Sequence, residues 1–297
     1  MIISVIYVIS FFVNVPAWKY EIVSQNISVF RDYIYNDFKT FVIHPTYYTT
    51  ILIFCSAHSL ELVLDKKKYY EIIFVIVFLT ITVLLLPRLN IVLILSTLFY
   101  ILLFRNKLSI QKKWSAFVAG ICLISGLIYI TPGITERFQE LYSSFNVKPE
   151  NVAYDSTNVR MAIFDSSIAI AKENWVLGVG FENLQGNLND QYKQNYDSSF
   201  YINQNYMTHN YYFYIFLSAG ILGLLAYLFY LVYVISICLK SNIFLFKVFL
   251  VNVLVVCFTE DFFYRHYGIL YFNLFLLCFI RYSENLTEEN KLKSNLN

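Results

Sequence analysis

Charge is what this 297-residue chain has least of. Only 14% of its residues are Asp, Glu, Lys or Arg, against about 25% in an ordinary soluble domain, which excludes a water-soluble globular class. No basic stripe suited to nucleic acid is present. The five cysteines form no CxxC or Cys/His pattern, so neither a disulfide framework nor a zinc site is suggested. There is no P-loop, no GxSxG elbow, no HExxH and no DxD dicarboxylate. The sequence therefore offers no ligand set for metal-assisted transfer. The N-terminus lacks a basic leader and a small-residue cleavage site, and is expected to be a span rather than a cleaved signal. No internal repeat is visible.

What the chain does have is apolar length. Hydrophobic residues make up 58%, and runs of roughly 17–25 of them recur, long enough to cross a bilayer as helices. The pattern predicts an all-α polytopic membrane protein with about eight transmembrane helices. Their expected positions are residues 1–17, 46–64, 69–86, 89–104, 114–131, 210–238, 243–259 and 268–281. They divide the chain into an N-terminal group of five spans (1–131), a large polar loop (132–208), a C-terminal group of three spans (209–281) and a polar tail (282–297).

Orientation follows from the basic residues. With the N-terminus inside, the turns near 65–68, 105–113 and 240–247 and the tail carry most of the Lys and Arg. The short outer loops carry fewer, mostly beside acids, which is the positive-inside pattern. Both termini are then cytoplasmic. The loop 132–208 lies outside, together with His44, Arg88, His209 and Glu260. Within that loop, 158–174 reads as an amphipathic helix on the membrane surface, with Arg160 in its first turn. Gly178 and Gly180 end it. The Asn- and Tyr-rich segment 183–207 reads as a surface loop or lid.

The unusual polar residues thus share one face. Arg88 follows Pro87 at the start of an apolar run; an ionisable residue at membrane depth is a functional hypothesis, and its plain alternative is an arginine snorkelling to headgroups. Arg160 is either a solvated charge or a second cation for a phosphate group. His209 suits general-base work, or is a structural interfacial histidine. Asn210 would cap the following helix or orient that imidazole. His44, before Pro45, could line the same cavity. Glu260, Asp261, Arg265 and His266 form either a local ion-pair network or part of an acceptor site. Gly220 and Gly223 read as small residues for close helix packing.

The order of these motifs is specific. PRLNIVLILS (87–96) opens a span with an arginine. VRMAIFDSSIAIAKENWVLGVG (159–180) carries a second arginine and ends in a Gly-Val-Gly turn, and HNYYFYIFLSAGILGLLAYL (209–228) follows. This arrangement resembles the O-antigen ligase and O-antigen polymerase superfamily of bacterial envelope proteins, over about residues 40–281. The resemblance implies a metal-independent, inverting glycosyl transfer at the outer face of the bacterial inner membrane, with no cofactor. The donor would be a glycan on undecaprenyl diphosphate, and the acceptor a lipid A core, a protein or a growing polysaccharide. Membrane lipids are partners and nucleic acid is not. It further implies that Arg88 and Arg160 hold the diphosphate leaving group and that His209 activates the acceptor hydroxyl. Ligase and polymerase differ only in acceptor. A flippase for lipid-linked sugar is the alternative of another class, and a non-catalytic scaffold a third. Eight spans are fewer than such proteins usually carry, which fits a gene fragment, a different start or a compact variant.

Overall fold

The computed structural model describes residues 2–16, 29–38, 43–85, 88–104, 156–196 and 205–295, with isolated residues between 109 and 143. Among these residues every regular element is helical. The chain forms two compact units, Met1–Gln139 and Glu140–Asn297. The boundary falls inside the expected loop 132–208.

The first unit contains α1 (Ile2–Asn14), a single turn α2 (Val29–Asp32) that runs into a π-helical turn at Tyr33–Asp37, then α3 (Pro45–Lys66), α4 (Glu71–Leu84) and α5 (Arg88–Phe104). Aromatic and aliphatic side chains from α1 to α4 share a core that includes Tyr7, Phe11, Tyr33, Tyr48 and Phe78. Pro45 opens α3, where a missing N–H costs nothing. His44 caps it, its Nδ1 accepting from the Thr46 amide at 3.4 Å. A left-handed Lys67 (φ 54°) ends the helix and lets α4 return along it. The fully buried Asn90, in the first turn of α5, donates to the Thr46 carbonyl at 2.9 Å and also bonds the Thr49 and Thr50 hydroxyls. The N-terminal ends of α3 and α5 are therefore side by side, and His44 and the first residue of α5, Arg88, belong to the same end of this unit.

The second unit contains α6 (Ser156–Asn174), α7 (Leu184–Asn195), α8 (Tyr211–Ser241), α9 (Phe244–Val256), a 3-10 turn at Phe262–Tyr264, and α10 (His266–Asn295). The expected helix over 158–174 is present as α6. Its apolar face packs against protein. Val159, Ala162, Ile163 and Ile170 pack with α7 and with Tyr214, Ile215 and Leu217 of α8. The segment expected to be a loop over 183–207 is in part helical. Leu184, Leu188 and Tyr192 recur at a helical spacing of four and are fully buried. The Tyr192 hydroxyl donates to the Tyr206 carbonyl at 3.1 Å.

Among the described residues, two helices are long and apolar enough to cross a membrane: α3, with 22 residues, and α8, with 31. α1, α4 and α9 are apolar but shorter, at 13, 14 and 13 residues. α10 continues without a break into the polar residues expected to form a tail. Most of the expected fifth span, 114–131, lies outside the described residues, as does Pro87. The helical class holds, and length and composition identify two spans of the eight expected.

α8 is not straight. Gly220 sits at φ 65°, ψ −166° in its middle, a backbone region open in practice only to glycine. A straight helix would hold Tyr211 and Tyr227 ~24 Å apart, yet their ring centroids are 5.5 Å apart. The leg 211–219 therefore folds back beside the leg 221–241. The reading of Gly220 as a helix-packing residue is replaced by this bend.

Bending strands backbone groups, and the Gly-Val-Gly turn takes them up. The Val179 and Gly180 amides donate to the Leu217 and Ser218 carbonyls at 2.8 and 2.9 Å, and the Ile221 amide donates to the Trp175 carbonyl at 2.8 Å. The two backbones touch. A Cβ on Gly178 (φ 70°) would come within 2.6 Å of the Ala219 nitrogen, and one on Gly220 within 2.6 Å of the Leu177 nitrogen.

Candidate functional site

The link between α9 and α10 carries two adjacent carboxylates in a chain poor in charge. Glu260 and Asp261 are both buried, with relative exposures of 6% and 7%, whereas Arg265 and His266 are exposed. The acids turn away from their basic sequence neighbours and toward residues 208–210 and α6.

Asp261 organises the backbone. Its Oδ2 accepts from the His209 amide at 2.8 Å and its Oδ1 from the Asn210 amide at 3.2 Å, while the Thr208 hydroxyl also donates to Oδ1. Asn210 then caps α8, its Oδ1 accepting from the Tyr212 and Phe213 amides, each at 3.1 Å. The Tyr211 amide donates to the Cys257 carbonyl at 2.8 Å. Together these bonds hold His209 at φ 46°, in the left-handed region that a non-glycine residue enters at a cost.

Burial pushes the Asp261 carboxyl above the usual carboxylate range, against the pull of the Thr208 hydroxyl, the His209 side chain and the His209 amide. Because the folded value is raised, the stability that this group contributes is full below the ordinary Asp range and declines as pH rises through its elevated one. Asp261→Asn would turn an amide N–H toward backbone donors. It is expected to destabilise the protein by about 1–3 kcal/mol, read as a lowered thermal midpoint in detergent; an unchanged midpoint would show that these donors do not depend on the carboxylate.

Glu260 gathers the side chains. Its Oε1 lies 3.5 Å from Nη2 of Arg160 and its Oε2 lies 3.7 Å from Nδ1 of His209. The two sequence-predicted residues thus face the two oxygens of one carboxylate. Arg160 is half-exposed, at 51% of its side chain, and His209 keeps 31% exposed. An ion pair with one partner largely in water contributes only about 0.2–1 kcal/mol to stability. Chemically, the arrangement presents an outward-facing guanidinium and an imidazole backed by a buried carboxylate.

Of the residues picked out in the sequence, the second unit brings together Arg160, His209, Asn210 and Glu260. His44 and the first residue of α5, Arg88, lie in the first unit, where His44 serves as a helix cap. In the sequence Asp261 stands only in a charged cluster, an ion-pair network or part of an acceptor site, and nothing there points to its bonds with residues 208–210. The available signal was two adjacent acids directly after an apolar run.

Compared with known proteins, residues 72–228 match a family model described as O-antigen ligase, over more than half of the chain. No curated protein and no solved structure matches.

Proposed function

Given that the chain belongs to the O-antigen ligase family, we propose that it transfers a glycan from undecaprenyl diphosphate to an acceptor hydroxyl, without a metal, at the outer face of the bacterial inner membrane. The observation that carries this reading is the pairing of Arg160 and His209 on Glu260. The acceptor oxygen attacks the anomeric carbon, the bond from that carbon to the diphosphate oxygen breaks, and the acceptor proton passes to Nε2 of His209. Glu260, beside Nδ1, stabilises the imidazolium that results. Arg160 offers its exposed N–H groups to the diphosphate, whose negative charge grows as the bond breaks.

The role given to Arg88 rests on the sequence resemblance: it is a further cation for the same leaving group, at the start of α5. In this reading His44 is a further substrate-binding residue, loop 132–208 is extracytoplasmic, and both termini are cytoplasmic. Lipid A core, protein and growing polysaccharide are the acceptor classes. A polymerase of the same family would use the same residues on a growing chain.

The test is a surface-glycan profile of a deletion strain. Loss of all attached polymer is expected for a ligase, and a single-repeat glycan for a polymerase; an unchanged profile would overturn both. In isolated membranes, transfer is expected to persist after divalent ions are stripped with a chelator. Complete loss that is restored by added metal would rule out the metal-free route.

A further inference from the structure

One surface in the second unit is unlike its surroundings. Trp175, Val176, Leu177 and Phe181 are all exposed, Leu177 at 73%, on the turn that ends α6. Exposed charges bound the turn on both sides, Lys172 and Glu173 before it and Glu182 after it. The apolar stretch is therefore short and sharply delimited.

Its position is fixed by α8. The bond from the Ile221 amide to the Trp175 carbonyl sets the turn beside the first residue of the leg 221–241. That leg would be about 30 Å long, the thickness of a bilayer hydrocarbon core. It exposes Leu222, Leu225, Phe229, Val232 and Leu239, as a helix in lipid does. The turn thus continues an apolar surface that starts at the Gly220 bend.

The backbone of the turn is compatible with hydrocarbon. Irregular chain enters hydrocarbon only if its amides and carbonyls are satisfied within the protein. Here the Gly178 amide donates to the Asn174 carbonyl at 2.8 Å, the Val179 and Gly180 amides donate to α8, and the Trp175 carbonyl accepts from α8.

We propose that the turn 175–181 is a membrane-inserted tip whose Trp175, Leu177 and Phe181 contact the acyl chains at the outer boundary of the bilayer. The occupant of this apolar surface is bulk lipid. The tip fixes how the α6–α7 layer stands on the membrane.

Tryptophan quenching tests the assignment without any measure of glycan transfer. The chain has three tryptophans, Trp18, Trp114 and Trp175. The full-length Trp18→Phe/Trp114→Phe variant is reconstituted into phosphatidylcholine vesicles brominated at shallow or deep acyl positions. Trp175 emission is expected to be quenched by the brominated lipids, more by shallow than by deep bromines, and to be protected from aqueous acrylamide. Efficient acrylamide quenching with no effect of bromine would overturn the proposal. Should the double variant fail to fold, the difference between the unaltered chain and Trp175→Phe gives the same readout. Quenching by bromine in both of those proteins, with no difference between them, would equally overturn it.

Discussion

Replacing His209 by Ala is expected to lower glycan transfer by about 10²–10⁴-fold, the usual weight of a positioned general base. The protein should still insert into membranes. Alanine alone does not isolate the chemistry, because His209 also occupies a left-handed backbone position at φ 46°. Asn tolerates that conformation well but cannot take up the acceptor proton. His209→Asn is therefore expected to fold as the parent does and to lose activity as fully as His209→Ala. Retained transfer in the Asn variant would mean that the residue shapes the start of α8 and does not handle a proton. Glu260→Gln should give a milder loss, since the imidazole remains while the charge that stabilises its protonated form is gone. The measurement is transfer from a lipid-diphosphate donor in isolated membranes, with variant levels matched by immunoblot.

Gly220→Ala is expected to have the largest effect on folding. The conformation at φ 65°, ψ −166° is closed to alanine at a cost of about 1–3 kcal/mol. The added Cβ also runs into the Val176 carbonyl and comes within 2.6 Å of the Leu177 nitrogen. Both are backbone atoms of a turn that its neighbours fasten to α8 by hydrogen bonds, so neither can yield as a side chain would. Overpacking of this kind adds about 1–3 kcal/mol. The sum is a large part of the 5–15 kcal/mol that holds an ordinary domain together. The expected result is little folded protein after detergent extraction, and a strongly lowered thermal midpoint in what remains. Gly178→Ala should behave alike, because its Cβ would meet the same contact from the other side. Gly186→Ala is the control. It lies in α7 with nothing within 4 Å of an added Cβ, and should be neutral or stabilising by about 0.5–1 kcal/mol. A Gly220→Ala protein as stable as the Gly186→Ala one would contradict the bend.

The sequence made some of this legible. α3 and α6 begin and end within two residues of their expected limits, because Pro45 after His44 and the Gly178 break are local signals. Arg160 and His209 could be singled out because ionisable groups are scarce in this chain. The bend in α8 was not legible. Gly220 lies in an unbroken apolar run, and its positive φ makes sense only once the turn 175–180, some forty residues earlier, is in place to accept and donate. α7 was hidden for a different reason. Its core residues Leu184, Leu188 and Tyr192 are spaced correctly but stand among Asn and Gln, so composition outweighed period. The part played by Asp261 depends on three donors fifty residues away in the chain, and no local pattern announces it.

The leg 211–219 is fastened at both ends. Asn210, the Cys257 carbonyl and Asp261 hold its start, and the stapled Gly220 holds its finish. One residue more or fewer between those fastenings would turn one end against the other by ~100° and shift it by ~1.5 Å. Insertions and deletions are tolerated where a chain is tethered once. Here the count of residues from His209 to Gly220 is itself a fixed dimension of the protein, and it sets the imidazole's distance from the bend.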